Sequence, residues 1–240
     1  MTALSWDAAR AMRRPSIAVL TLSLLILCAT QGMAHNVTEG DAGYIQEIWG
    51  VNLIPFMYLG AKHMVTGYDH ILFLLGVVFF LYKMQHVAIY VSLFALGHST
   101  TMLLGVYFGW SVNAYFIDAI IGLSVVYKAL DNLGAFQRWF GYQPNTKAAT
   151  LIFGFFHGLG LATKILDYAI ASDGLVPNLL AFNVGVELGQ IMALAVILIA
   201  IGWWRRQTSF WRHAYTANVV MMSMGFILMG YQLTGLFLYS

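Results

Sequence analysis

The sequence predicts an all-α membrane protein, a polytopic helix bundle of six transmembrane helices that follow an N-terminal signal peptide. The composition indicates a bilayer, because 60% of the 240 residues are hydrophobic and only 9% are charged, whereas soluble domains carry roughly a quarter charged residues. Six apolar stretches also follow one another, each long enough to span about 30 Å of hydrocarbon. A chain with this much apolar surface is expected to lie in lipid.

Residues 1–34 are predicted to be the signal peptide. An apolar run over 17–28 follows three arginines, and the small residues over 32–34 fit a cleavage site. The alternative is an uncleaved anchor helix, which leaves the downstream topology unchanged. Cleavage after Ala34 makes His35 the first residue, and its amine and imidazole can then chelate one metal ion together. His35 is therefore a secondary candidate ligand.

Residues 35–53 are predicted to be a polar periplasmic segment, and residues 54–240 one transmembrane domain. The predicted spans lie near 54–82, 87–109, 114–133, 148–170, 176–203 and 214–238. Because the loops between them are short, neighbouring helices are expected to run antiparallel. The first span is too long for a simple crossing, so a bend is predicted at Thr66-Gly67. The residues show no internal repeat.

Lysine and arginine residues predict the orientation of the bundle. The loops after the first, third and fifth spans are basic, whereas those near 109–113 and 172–177 contain no lysine or arginine. The positive-inside rule makes the basic loops cytoplasmic. The mature N- and C-termini are then periplasmic, and the protein is expected in the bacterial inner membrane as a multi-pass protein.

Charge and cysteine content exclude several functional classes. A net charge of +2 without a basic, aromatic patch argues against nucleic acid as a partner. The lone cysteine, Cys28, lies in the signal segment, so disulfides, iron–sulfur clusters and thiolate metal sites are excluded from the mature body. Metal chemistry in this chain must therefore rely on nitrogen and oxygen ligands.

The first candidate site lies around the predicted bend. Ionisable side chains in hydrocarbon are costly and commonly mark a pathway or a binding site. His63 and His70 project from nearly the same helix face, two turns apart. Asp69 is placed to orient an imidazole, as carboxylates near metal sites commonly do. We predict that these three residues handle a metal ion.

Two further histidines lie inside the second and fourth spans. His98 is followed by Ser99, a secondary candidate, and His157 stands between Gly154 and Gly158. These glycines form a small-xxx-small pair that lets a neighbouring helix approach closely. The simpler alternative for each histidine is an interhelical hydrogen bond. We predict that both belong to the metal site.

A polar stripe in the fifth span supplies the last main candidate. Asn183, Glu187 and Gln190 fall on one helical face, which is predicted to point to the bundle interior. Glu187 is the main candidate ligand there, and the two amides are secondary candidates. Asp118, a turn into the third span, is a weaker candidate that also suits the outer interface.

Two lysines are predicted to pair along their own helices. Lys128 and Asp131 form an i, i+3 pair at the inner membrane boundary, and Lys164 and Asp167 form another at the outer boundary.

Four motifs appear in order over about 57–200. They are His63-x3-Gly67-x-Asp69-His70-x2-Phe73-Leu74, Leu96-Gly97-His98-Ser99, Gly122-Leu123-Ser124-Val125-Val126-Tyr127 and Phe156-His157-Gly158-Leu159-Gly160. This series resembles the HupE/UreJ family of hydrogenase and urease accessory membrane proteins. Members are regarded as nickel permeases, so the resemblance implies nickel handling. A fainter similarity, through Leu96 to Ser99, links the chain to the nickel/cobalt transporter family, whose later acidic motif is missing here.

We therefore expect a permease for a divalent transition metal, with Ni²⁺ as the substrate ion, Co²⁺, Zn²⁺ or Cu as other possibilities, and no organic cofactor. The expected partners are the lipid bilayer, the metal ion and a metalloenzyme or maturation protein. The alternative is a non-transporting accessory subunit that binds metal or haem. A third hypothesis is an intramembrane metalloenzyme, for which Glu187 is the only clear candidate for a general base. We expect that the protein is not an enzyme.

Overall fold

The computed structural model describes residues 49–167 and 173–239. Of these residues 85% are helical and none is in a strand. The all-α class is confirmed, whereas the signal peptide over 1–34 and His35 lie outside the described residues. The helices are α1 (Leu53–Thr66), α2 (Tyr68–Val78), α3 (Met84–Phe108), α4 (Ala114–Asn132), α5 (Ala135–Phe140), α6 (Thr146–Leu166), α7 (Leu175–Arg205) and α8 (Ser209–Tyr239).

Four of these helices are long and apolar enough to cross a membrane, namely α3, α6, α7 and α8. Helix α2 is apolar but has only 11 residues. It follows α1 directly, and the two helices are separated by Gly67. The predicted bend in the first span is thus confirmed. Helix α4 has 19 residues and carries three charged side chains. The chain is a membrane protein whose helices differ in polarity.

The helix ends follow from local sequence. The side chain of Asn113 accepts a hydrogen bond from the amide of Phe116 at the start of α4. Asn145 caps α6 in the same way, through the amides of Lys147 and Ala148. Gly109 ends α3 with a φ of 67°, a left-handed conformation that glycine adopts without strain. These caps satisfy backbone groups at the ends, where a helix cannot satisfy its own.

The closest helix neighbours are not consecutive in the chain. Helix α1 packs on α7, α3 on α6 and α4 on α8, far more extensively than any other helices pack together. Glycines allow this closeness. A Cβ on Gly60 would lie 2.0 Å from the carbonyl oxygen of Phe182, and one on Gly158 would lie 2.0 Å from that of His98. Glycine faces, and not the short loops, therefore determine which helices pack most closely.

Two of these pairs make equivalent contacts. A Cβ on Gly185 would meet the carbonyl of Met57 and the amide of Ala61, and a Cβ on Gly97 would meet the corresponding groups of Leu151 and Phe155. Likewise, Gly60 faces the carbonyl of Phe182 as Gly154 faces that of Phe94. Pair α1·α7 thus repeats pair α6·α3, residue by residue. In both pairs the residue numbers of the contacting residues increase together along the two helices, so the paired helices run parallel.

The third pair completes the repeat. A Cβ on Gly122 would meet the amide of Met229, and one on Gly225 would meet the amide of Val126. The segments α1–α2, α3 and α4 therefore correspond in order to α6, α7 and α8. Gly122 and Gly225 are equivalent residues, and the contacts between α4 and α8 advance in opposite directions along the two helices, so α8 runs antiparallel to α4. The fold is an inverted repeat, which the sequence alone did not reveal.

Candidate metal centre

The break between α1 and α2 brings two histidines together. Gly67 leaves the helix with φ −73° and ψ 95°, and its amide donates to the carbonyl of His63 at 3.0 Å. A Cβ on Gly67 would lie 2.7 Å from Nδ1 of His70, so glycine makes room for that imidazole. The rings of His63 and His70 stand edge to face with their centroids 5.1 Å apart.

The α3·α6 pair delivers the other two histidines. His98 and His157 lie on the contact surface that Gly97, Gly154 and Gly158 hold together. Their ring centroids lie 5.9 Å and 4.9 Å from that of His70. His70, His98 and His157 are all buried, and His63 is half-buried. Four imidazoles from four helices therefore converge around His70.

The ligand atoms fall into two overlapping groups. One group is His63, His70 and His98, and the other is Asp69, His70 and His157. Within each group, one nitrogen or carboxylate oxygen per residue lies within 4.8 Å of the others. His70 belongs to both. Groups of this size and composition match the nitrogen and oxygen ligands that borderline divalent metals accept.

Asp69 also orients His70. Its Oδ1 lies 3.0 Å from Nδ1 of His70, in a buried pair. The carboxylate accepts the Nδ1 hydrogen, which makes Nε2 the acceptor nitrogen of that ring. A carboxylate that fixes the tautomer of a metal-binding histidine is a common arrangement next to metal sites. The role predicted for Asp69 therefore agrees with its position.

Within the part of the chain that the structure describes, three buried imidazole nitrogens of His98 and His157 have no hydrogen-bond partner. These are Nδ1 and Nε2 of His98 and Nδ1 of His157. Aromatic side chains pack against both rings: Phe94 lies 6.0 Å from His98 and 5.0 Å from His157 between ring centroids, and Phe73 lies 5.6 Å from His157. A buried polar atom without a partner costs about 1–3 kcal/mol. A metal ion bound by one nitrogen of each ring would remove that cost for those two atoms.

The comparisons with known proteins agree with these motifs. The family model described as HupE / UreJ protein matches residues 39–240. This chain belongs to the HupE/UreJ family. It is thereby a membrane protein with a metal-related accessory or transport role. The comparisons with curated proteins and with solved structures gave no match.

In this HupE/UreJ protein, Glu187 is exposed and belongs to neither group of candidate ligands. The face of α7 that packs on α1 contains Gly185 and Gly189, so Glu187 is turned to an exposed position. Gln190 is buried, but its Nε2 donates to the carbonyl of Val91 at 3.4 Å. Asn183 is half-buried. The prediction that Glu187 points inwards is therefore wrong, whereas Gln190 lies in the bundle interior as predicted.

Asp118 also has another role in the HupE/UreJ fold. Its Oδ2 accepts from Nζ of Lys164 at 2.7 Å, in a buried ion pair that links α4 to α6. The predicted pairing of Lys164 with Asp167 is wrong, since Asp167 is exposed at the end of α6. Ser99 is half-buried beside His98. Neither Asp118 nor Ser99 belongs to the two groups of candidate ligands.

The C-terminal end of α4 carries a buried polar network that sequence reasoning only partly predicted. Lys128 donates to Asp131, the predicted partner, at 2.5 Å and to Asn132 at 2.7 Å. Asn132 donates in turn to the carbonyl of Gly76 and to Asn218 of α8, both at 2.9 Å. The network joins α4 to α2 and α8. Asn132 and Asn218 escaped notice because the contact spans distant parts of the chain.

Proposed function

We propose that this protein is a permease for a divalent transition-metal ion, Ni²⁺ or Co²⁺, held by His63, Asp69, His70, His98 and His157. The observation that carries the proposal is the convergence of four histidines from four helices on one buried point. Metal sites in helix bundles take their ligands from facing helices, and a transported ion is released again when those helices move apart.

The ligand chemistry supports this choice of ion. Imidazole with some carboxylate suits Ni²⁺, Co²⁺ and Zn²⁺, and thiolate that would favour softer metals is absent from residues 35–240. The proposal assigns transport and no catalysis. The chain contains no nucleotide-binding motif, so an ion gradient or another subunit supplies the energy.

The inverted repeat supports transport over a purely accessory role. Many secondary transporters are built from inverted repeats, with the substrate site at the repeat interface near the bilayer midplane. Here His63 and His157 are equivalent residues, each three positions after the equivalent glycines Gly60 and Gly154. We propose six membrane crossings, with α1–α2 together as the first and α4 as the third. In this proposal the protein lies in the bacterial inner membrane, and both mature termini are periplasmic.

The test is uptake into liposomes that contain the purified protein, with Ni²⁺ compared with Co²⁺, Zn²⁺ and Cu. We expect saturable uptake that is lost in His70→Ala and in His98→Ala. The matched control is His213→Ala, because His213 is exposed on α8 and should leave uptake unchanged. Stoichiometric binding without any uptake would refute the permease and favour an accessory subunit.

A further inference from the structure

Ser124 is a buried residue of the motif over 122–127, which contributes none of the candidate metal ligands. It lies on α4 with no exposed surface. Its Oγ lies 2.6 Å from the carbonyl oxygen of Ile121 and 3.3 Å from Nε2 of His157. The same hydroxyl therefore contacts its own helix and one imidazole of the metal centre.

The hydrogen positions follow from these two contacts. A serine hydroxyl carries one hydrogen, and a carbonyl oxygen can only accept. The hydroxyl therefore donates to Ile121, and its oxygen must accept a hydrogen from Nε2 of His157. A neutral imidazole has one N–H, so the lone pair of His157 is on Nδ1. That nitrogen is buried and has no hydrogen-bond partner.

We propose that Ser124 is a positioning residue that makes His157 bind the ion through Nδ1. His70 is fixed in the opposite tautomer, because its Nδ1 is bonded to Asp69. The centre thus combines Nε2 of His70 with Nδ1 of His157. This inference rests on the proposed function for the ion, although the tautomer itself is defined without one. Loss of such an orienting partner typically weakens metal affinity by about 10–100-fold.

The test is nitrogen NMR of the detergent-solubilised protein labelled at histidine, with His157→Gln used to assign the His157 signals. Without metal, the hydrogen should be on Nε2. Adding diamagnetic Zn²⁺ should shift the Nδ1 signal. Ser124→Ala should mix the tautomers and weaken Ni²⁺ binding by about 10–100-fold, and Ser124→Thr, which keeps the hydroxyl, should restore most of the affinity.

The matched control is Ser223→Ala. Ser223 donates to its own helix in the same way, to Val219 at 3.0 Å, but contacts no histidine. The inference is overturned if His157 carries its hydrogen on Nδ1, or if Ser124→Ala binds Ni²⁺ as tightly as Ser223→Ala. If the wild-type protein binds no metal, the proposed function fails, while the spectrum without metal still decides the tautomer.

The inverted repeat carries a second and independent inference. The pairs α1·α7 and α3·α6 are equivalent, and each is locked by glycines that admit the backbone of the partner helix. Contacts between these two pairs are few by comparison. His63 belongs to the first pair, and His98 and His157 to the second. The metal centre therefore lies where two stiff bodies meet.

We propose that the two pairs move against each other as rigid bodies and expose the metal centre to the two membrane faces in turn. In an inverted repeat the two bodies exchange roles between the outward-open and inward-open states. The break at Gly67 joins His63 to α2, so α2 can keep its place while the first pair tilts. This movement rests on the proposed transport function, but distance measurements test it separately from metal uptake.

Distances between spin labels on exposed residues test this movement in the reconstituted protein. Between the pairs, labels replace Met84 and Trp203 at the inner end, and Tyr107 and Val176 at the outer end. Within the α3·α6 pair, labels replace Met84 and Lys147. Addition of Ni²⁺ should change the two between-pair distances in opposite directions and leave the within-pair distance unchanged.

Two results would overturn the movement. One is a within-pair distance that changes as much as the others, and the second is between-pair distances that do not respond to Ni²⁺ in protein that takes it up. The second result would leave the permease intact. Absence of both uptake and binding would instead refute the proposed function.

Discussion

Replacement of Gly185 by alanine tests the glycine-locked packing most directly. The new Cβ would lie 1.9 Å from the carbonyl oxygen of Met57. Because a normal carbon–oxygen contact is about 3.4 Å, α1 and α7 must separate by roughly 1.5 Å. Overpacking of this kind costs about 1–3 kcal/mol. For a chain of this length each kcal/mol lowers the melting temperature by about 2–4 °C.

The chain offers a control on the same helix. A Cβ on Gly202 would meet nothing within 4 Å, and alanine is favoured over glycine in a helix by about 0.5–1 kcal/mol. Gly202→Ala should therefore raise the melting temperature that Gly185→Ala lowers. Intrinsic tryptophan fluorescence of the purified protein during heating measures both. A Gly185→Ala variant that melts with the wild type or above Gly202→Ala would refute the packing argument.

Three further predictions concern Asp118, Glu187 and Asn132. Asp118→Asn leaves the buried ammonium of Lys164 unpaired and should destabilise the protein by about 3–5 kcal/mol in thermal unfolding, whereas Asp118→Asn with Lys164→Met should recover most of that loss. Glu187→Gln should leave Ni²⁺ affinity unchanged in calorimetric titrations, because this side chain is exposed on α7; a tenfold loss would return Glu187 to the site. Asn132→Leu should lower the melting temperature by breaking the bond to Asn218 without changing Ni²⁺ affinity.

The sequence predicted the helices, the break at Gly67 and the residues that meet in the centre. Apolar runs and intramembrane histidines are local signals, and a histidine beside glycine is placed where another helix can approach. The meeting of these residues could be predicted without knowing which distant helices are in contact, because a bundle of this size has one interior. The pair Lys128 and Asp131 was predictable for the same reason, as its spacing of three residues defines the contact.

The failures concern which helices meet. Helical periodicity places Glu187 and Gln190 near one another on α7, but it does not say which partner covers that face. The glycines on α7 decide this, since they turn Gly185 and Gly189 towards α1. Lys164 likewise bonds Asp118 on another helix in preference to the nearer Asp167. Contacts between distant segments depend on packing that no single stretch of sequence describes.

The repeat explains why the candidate ligand groups among the described residues share one histidine, His70, and why no equivalent group forms in the second half. Counted from the equivalent glycines Gly60 and Gly154, the positions of Asp69 and His70 in the first half are occupied by Thr163 and Lys164 in the second. A lysine ammonium cannot coordinate a cation, and here it is bonded to Asp118. The second half therefore keeps His157 and lacks the carboxylate–histidine unit beside it.

The absence of a second carboxylate–histidine unit would affect how a bound ion is released. A site with identical ligands on both halves would hold a cation equally in either orientation, whereas here His70 and Asp69 come only from the first half. Movement of the α3·α6 pair away from α2 would separate His98 and His157 from His70 and leave the ion with fewer ligands. In the proposed permease, this difference between the two halves would make one set of ligands removable, which release of a transported ion requires and a permanent metal site does not.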